Sequence, residues 1–299
     1  MNIVRAAAEY IAVRFVDFVA SFLPRREIPA AASCLAALIR IADRRHRRVA
    51  FHNLASVSSE IPESRHPEIV KRLYQHLVTS FFEMQHIRRI RKKRFLSLLA
   101  RENLDAVCRD LASRRSAIFV TAHLGNWDFA GALLALLAPP FYAVARPLDN
   151  PFLERYISRL RRRLGLQTIP KHGAIKKLLA LLRSGANVGI VADQNAPTDH
   201  IFVPFLGRKA ATIKTPALLA VKTRSPIIPV CLVREKVLRY RLLLGKSILP
   251  EEGCPQDKNV ARMTLAFTRQ FEMWVRAFPH QWLWTHKRWK TRPEGERVG

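Results

Sequence analysis

Residues 116–137 read SAIFVTAHLGNWDFAGALLALL, and the change of pattern within them decides the fold class. Ala117, Ile118, Phe119 and Val120 form a short apolar run of β type, whereas Phe129 to Leu137 is Ala/Leu-rich and helical in character. The six residues between them, His123-Leu124-Gly125-Asn126-Trp127-Asp128, occupy the turn from strand to helix. On one continuous α-helix, residues five apart are rotated by about 140°, which would point His123 and Asp128 away from each other. Their pairing requires His123 to precede the helix, with Gly125 allowing a tight turn and Asn126 capping the helix. With that bend, Asp128 is expected to accept one ring N–H of His123 and fix the tautomer. The other nitrogen is then left to take a proton from a substrate hydroxyl. This is two-thirds of a serine-hydrolase triad, with the substrate's own alcohol as the nucleophile. The same spacing also suits an ordinary helix start, in which Asp128 answers the helix dipole and His123 is structural.

Outward from this turn the chain alternates. Helices are expected over Pro67 to Ile90, Phe95 to Ala112, Pro151 to Leu164, Ala174 to Arg183 and Asn259 to Ala277. Strands are expected at Tyr142 to Ala145, Val188 to Ala192, Pro226 to Val233 and Arg239 to Leu244. Such alternation predicts an α/β fold, a mixed central sheet covered by helices, with reactive loops gathered at strand ends. Asp193 ends an apolar strand and reads either as a second acidic group near His123 or as a hydrogen-bonded structural carboxylate.

The 299 residues, 49% of them hydrophobic, suffice for one large α/β domain with helical additions. No internal repeat or low-complexity linker divides them. Cys34, Cys108, Cys231 and Cys254 lack CxxC spacing, which fits reduced structural thiols. His123 has no HExxH partner, so no metal is expected. Lys and Arg number 51 against 23 Asp and Glu, a net charge of +28 clustered at Arg44 to Arg48, Arg88 to Arg94, Arg159 to Arg163 and Lys287 to Arg292. Nucleic acid, an anionic membrane or phosphorylated glycolipid, and an acidic carrier protein would all suit such clusters. No nucleic-acid motif is present, and the apolar N-terminus points to a membrane.

Ile3 to Leu23 is apolar but interrupted by Arg5, Glu9, Arg14 and Asp17, whose charges are costly at a bilayer centre. An interfacial helix is the expectation, with Tyr10, Phe15, Phe18 and Phe22 in the acyl boundary and Arg25 and Arg26 at the headgroups. A single tilted span is the alternative. The pattern is not that of a cleavable signal peptide. Pro29 to Ala42 is a second apolar segment, too short for a span. Residues 1–45 thus read as membrane-associated helices and 46–299 as the α/β domain.

Several blocks together carry a resemblance: HLGNWD at 123–128, Val144 to Pro151 (VARPLDNP), Ala192-Asp193-Gln194-Asn195, Phe205 to Thr212 (FLGRKAAT), and Pro279 to Trp284 with His286 to Arg292. In order and spacing they resemble the bacterial lipid A biosynthesis (lauroyl/myristoyl) acyltransferase family, within the lysophospholipid acyltransferase superfamily, over nearly the whole chain. Many lipid A enzymes carry Glu where this chain has Asp128. The resemblance implies a glycerolipid-acyltransferase-like fold and transfer of a fatty acyl chain from a thioester, acyl carrier protein or coenzyme A, without further cofactor. It implies a glycolipid acceptor and a place at the cytoplasmic face of a bacterial inner membrane. His123 and Asp128 would be catalytic, with Gly125, Asn126, Arg146, Arg159, Arg161, Asp193 and Gln194 holding substrate or the oxyanion. Arg159 and Arg161 read equally as a solvent-facing charged stripe. Arg146, which ends a strand near the same face, suits an acceptor phosphate. A Kdo-bearing lipid A precursor is the expected acceptor; a phosphoinositol mannoside or lysophosphatidic acid would share the core chemistry. A basic membrane-binding protein without catalysis is the reading outside the enzyme class.

Overall fold

The structure, a computed structural model, describes residues 3–100, 104–171 and 173–296. Five helices come first: α1 (Ile3–Phe22), α2 (Ile28–Ala42), α3 (Arg44–Ala55), α4 (His66–Ile87) and α5 (Leu104–Ser113). The helix expected from Phe95 to Ala112 is instead a 3₁₀ turn, Lys92–Leu98, followed by α5, and its middle, residues 101–103, lies outside the described residues.

The alternating part continues as β1 (Ile118–Thr121), α6 (Trp127–Leu137), β2 (Phe141–Ala145), α7 (Pro151–Arg163), β3 (Gln167–Pro170), α8 (Ala174–Arg183) and β4 (Asn187–Val191). A hairpin, β5 (His200–Phe205) and β6 (Arg208–Ile213), leads to α9 (Thr215–Thr223), β7 (Ile227–Lys236), β8 (Arg239–Leu244) and α10 (Gln256–Ala277). The six-stranded sheet has the order β3-β2-β4-β1-β7-β8 and is parallel except for β8, antiparallel on β7. The expected mixed sheet is therefore present. The sequence pattern does not announce β3, the hairpin or α9; Gln167–Pro170 has no apolar alternation, and only Ile169 within it is buried.

Each face of the sheet has its own apolar cluster, as parallel strands require. Ile118, Val120, Val188 and Ile190 pack under α8, α9 and α10, while Phe119, Ile228, Val230 and Leu232 pack under α6 and α7. On the first side the cluster continues into Ala20, Ile28, Ala32 and Ala36, which seat α1 and α2. The outer faces of these two helices leave Ile11, Phe15, Phe18, Phe22, Leu38 and Ile41 exposed. No helix among the described residues is long and apolar enough to cross a membrane.

Candidate active site

β1 and β4 are neighbours in register, with Thr121 opposite Val191. Two residues further along each strand come His123 and Asp193, so parallel pairing carries both to the same level at the carboxyl edge of the sheet. There the backbone N–H of His123 donates to Asp193 Oδ2 (2.9 Å) and Nδ1 bonds Oδ1 (2.7 Å). Asp193 is buried, and Trp282 Nε1 donates to Oδ2 at 2.7 Å. Burial alone would raise its pKa, but His123 and the Trp282 hydrogen bond outweigh that and hold it below the usual value. An ionised Asp193 accepts only, so Nδ1 of the neutral ring carries the proton and Nε2 keeps its lone pair. The amide of Gln194 lies 3.4 Å from Nε2.

The hydrogen bond expected between His123 and Asp128 is not formed. Asp128 stands in the first turn of α6, where Arg161 reaches it from α7 and donates from Nε (2.9 Å) and Nη2 (2.8 Å) to Oδ1. The left-handed turn at Gly125 (φ +67°) separates it from the histidine and leaves the imidazole to Asp193. Arg161 is thus an ion-pair partner rather than part of a solvent-facing stripe, and its Nη1 makes no hydrogen bond among the described residues. Arg159 is exposed and has no ion pair among the described residues. Arg146 is also exposed and pairs with the equally exposed Asp149 at 3.0 Å. Neither of these two is brought to His123 by a described contact.

The turn is bolted from three sides. Gly125 N donates to Gln281 O (3.1 Å) and Asn126 N to Leu232 O (2.9 Å). A Cβ on Gly125 would stand 2.1 Å from that same Leu232 oxygen, so no other residue fits. Asn126 caps α6 by accepting from Phe129 N, and donates to Tyr240 Oη at 3.1 Å. His76 bonds the Gly125 carbonyl through Nε2 and receives Arg234 Nη1 at Nδ1. Arg234 also pairs with fully buried Glu83, which accepts from Tyr240 Oη at 2.6 Å. Burial, with Arg234 beside it, pushes the His76 pKa well down, so it is a neutral donor to the turn. Sequence reasoning missed this network; its one signal was Glu83 in an otherwise apolar stretch of α4.

The C-terminal segment completes the frame. Leu283 N donates to His123 O, Asn195 N to His286 Nε2, and Arg288 Nη1 to Gln194 O. Two apolar cavities meet at Trp127, Asp128 and Arg161. One, of about 130 Å³, lies between α4, α6 and α7 among Phe81, Met84, Ile157 and Leu160; the other, of about 70 Å³, lies against the sheet among Phe119, Leu134, Ala143 and Gly189. The Trp127 ring stands edge-on to His123, their centroids 5.1 Å apart. No cluster of metal-ligating side chains occurs among the described residues. The arrangement offers a ring nitrogen that is an acceptor when the imidazole is neutral, a buried anion behind it, and a guanidinium beside apolar space.

Several curated proteins are similar to this chain in sequence. The lipid A biosynthesis palmitoleoyltransferase of Escherichia coli (strain K12) is 29% identical over 198 residues, 65% of this chain and 62% of that protein. The phosphatidylinositol mannoside acyltransferase of Mycobacterium tuberculosis (strain CDC 1551 / Oshkosh) is 27% identical over 193 residues, 63% of this chain and 58% of its own length. The E. coli lipid A biosynthesis lauroyltransferase is 27% identical over 180 residues, covering 59% and 55%. The chain therefore spans roughly six-tenths of the length of these curated relatives. Residues 2–291 match the family described as bacterial lipid A biosynthesis acyltransferase, and the chain belongs to that family.

Proposed function

We propose that this protein transfers a fatty acyl group from a thioester to a sugar hydroxyl of an anionic glycolipid at a membrane surface, with a lipid A precursor bearing Kdo as the acceptor. The observation that carries the reading is the Asp193–His123 pair, Nδ1 bonded at 2.7 Å to a buried carboxylate, which leaves Nε2 as the acceptor of the neutral ring. Nε2 takes the proton of the acceptor hydroxyl as its oxygen attacks the thioester carbonyl carbon, and Asp193 stabilises the imidazolium. The carbonyl becomes an oxyanion, for which the first-turn amides of α6 and the unengaged Nη1 of Arg161 are the donors at hand. When the carbon–sulfur bond breaks, the thiolate recovers the proton from His123, giving an ester and a free thiol.

The larger cavity takes the acyl chain. The donor is acyl carrier protein or coenzyme A, for which exposed cations such as Arg159 and Arg162 provide a basic approach. Arg146, paired only with an exposed Asp149 among the described residues, serves an acceptor phosphate. The stripe Ile11, Phe15, Phe18 and Phe22, spaced four, three and four residues apart, supports docking of α1 into the interface of the cytoplasmic leaflet. A phosphoinositol mannoside acceptor has the support of the mycobacterial relative's name.

The test is transfer of labelled acyl groups, from carrier protein and from coenzyme A, to Kdo-lipid A precursor and to phosphatidylinositol mannoside in mixed micelles. Wild type should label one acceptor, and His123→Ala should lose at least about 10³-fold. Unchanged transfer in His123→Ala overturns the catalytic assignment. Vesicle binding without transfer to any acceptor by wild type would make the chain a membrane-binding protein.

A further inference from the structure

Arg288 is among the largest fully buried side chains, at 1% exposure, yet it forms no ion pair among the described residues. Among the described residues its guanidinium donates to neutral oxygens alone: Nη1 to Gln194 O (3.2 Å) and Ala211 O (2.7 Å), and Nη2 to Thr212 Oγ1. It also lies 5.4 Å from the centroid of the Phe205 ring. An unbalanced buried cation is costly, and such groups persist where another buried charge answers them. Gln194, whose carbonyl it grips, is the residue after Asp193. Asp193 in turn is bound by His123 and Trp282 and, among the described residues, by no Arg or Lys. With His123 neutral, Asp193 is a buried anion and Arg288 a buried cation that grips the carbonyl of the next residue, Gln194.

We infer that Arg288 is the charge partner of Asp193 and a positioning residue for the base: it keeps the carboxylate ionised and opposes protonation of His123. The inference rests on the acyl-transfer reading of His123. The other groups facing the pair do not duplicate its charge. His286, whose Nε2 accepts from Asn195 N, is held near pKa 4, chiefly by burial, and is neutral. The Cys231 thiol on β7 is pushed up to about 12 by burial and is also neutral. From α6, Asp128 is already answered by Arg161. Arg288 itself is lowered only to about 10, again by burial, and stays charged at neutral pH.

The experiment is the pH dependence of kcat/KM for acyl transfer in wild type, Arg288→Met, Arg288→Lys and Thr212→Val. Loss of the cation should move the acid limb upward by about one pH unit, the order expected for removing one charge from a partly desolvated site. Arg288→Lys and Thr212→Val, which remove hydrogen bonds and keep a charge, should leave the limb in place. A limb unmoved in folded Arg288→Met overturns the inference, as does an equal shift in Thr212→Val. Where Arg288→Met does not fold, thermal midpoints of Asp193→Asn and Asp193→Asn/Arg288→Met decide: the double variant should be the more stable, and a lower midpoint for it is the overturning result. Transfer that persists in His123→Ala overturns the functional reading first, and the stability cycle still reports on the charge pair.

Discussion

His123 grips both oxygens of a single carboxylate, Asp193, through its backbone amide at 2.9 Å and its Nδ1 at 2.7 Å. The amide contact fixes the carboxylate to the backbone of the histidine, so the single ring contact at Nδ1 is made to an acceptor already held in place. The partner comes 70 residues later in the chain, by way of a parallel strand pair.

Asp193→Asn should therefore lower kcat/KM by about 10³–10⁴, because the amide no longer selects the Nδ1–H tautomer. Asp128→Asn should cost less, on the order of 10–100-fold, by loosening Arg161. Steady-state kinetics on the two variants decides between the partners. A larger loss for Asp128→Asn would make the five-residue neighbour the working partner of His123.

Asp128 and Arg161 act as a unit if one holds the other beside the reacting carbonyl. Arg161→Ala and Asp128→Ala should each lower kcat by about 10–100-fold, and the double variant should be no worse than the poorer single, since each removes the same interaction. Multiplying losses would show that the two contribute separately.

Much of the fold is legible in the local pattern. Ala117 to Val120 is apolar and short, Phe129 to Leu137 is Ala/Leu-rich, and the structure has β1 and α6 there with Gly125 and Asn126 at the joint. The partnership of His123 is less legible, because sequence distance favours Asp128 while strand order favours Asp193. Only knowledge that β4 lies next to β1 makes the offsets of His123 and Asp193 from their strands comparable. The supports of the turn are further still from view. His76, Glu83, Arg234 and Tyr240 come from α4, β7 and β8, and apart from Glu83, set beside Phe81, Phe82 and Met84, none of them stands out in its own segment. The β5–β6 hairpin was missed because its strands carry Pro204 and a run of small residues, Ala210 and Ala211, in place of a clean alternation.

Chain-length preference should track the cavity among Phe81, Met84, Ile157 and Leu160. Ile157→Phe fills it, and acyl selectivity should move toward donors shorter by about two to four methylenes, at ~0.8 kcal/mol for each lost burial. Ala143→Phe fills the sheet-side cavity and should leave the profile unchanged. Competition between donors of different length, read by mass spectrometry, distinguishes them. The opposite pattern assigns the chain to the sheet side.

Stability should fall on mild acidification. His76, His280 and His286 all have folded pKa values below the ordinary 6.5, driven first by burial, with His280 and His286 near 4. The unfolded chain binds protons at these sites before the folded one does. Their contribution is complete above about pH 6.5 and is lost as pH drops toward 4. Asp43, Glu154 and Asp193 have lowered values, so their contribution disappears only in the carboxylate range below. The thermal midpoint should drop by about 5 °C or more between pH 7.5 and 5, and His76→Gln should flatten that slope. A midpoint constant over the interval would mean that these histidines are not held neutral in the folded protein.

Membrane docking should depend on the outer stripe of α1 and not on its inner face. Phe15 and Phe18 are 67% and 63% exposed, whereas Asp17 between them is buried against Arg88 at 3.2 Å and anchors the helix to the body. Burying a phenylalanine side chain contributes about 1.5–3 kcal/mol, so Phe15→Ser/Phe18→Ser should weaken vesicle binding by at least about 100-fold. Because neither residue contacts His123 or Asp193, transfer to a detergent-dispersed acceptor should keep most of its rate. Arg25 and Arg26, exposed just beyond the helix, add attraction to anionic lipid that added salt screens. Sedimentation with vesicles of graded anionic content, at low and high salt, separates the two contributions. If the double variant binds as wild type does and salt alone releases the protein, the association is electrostatic and α1 does not enter the interface.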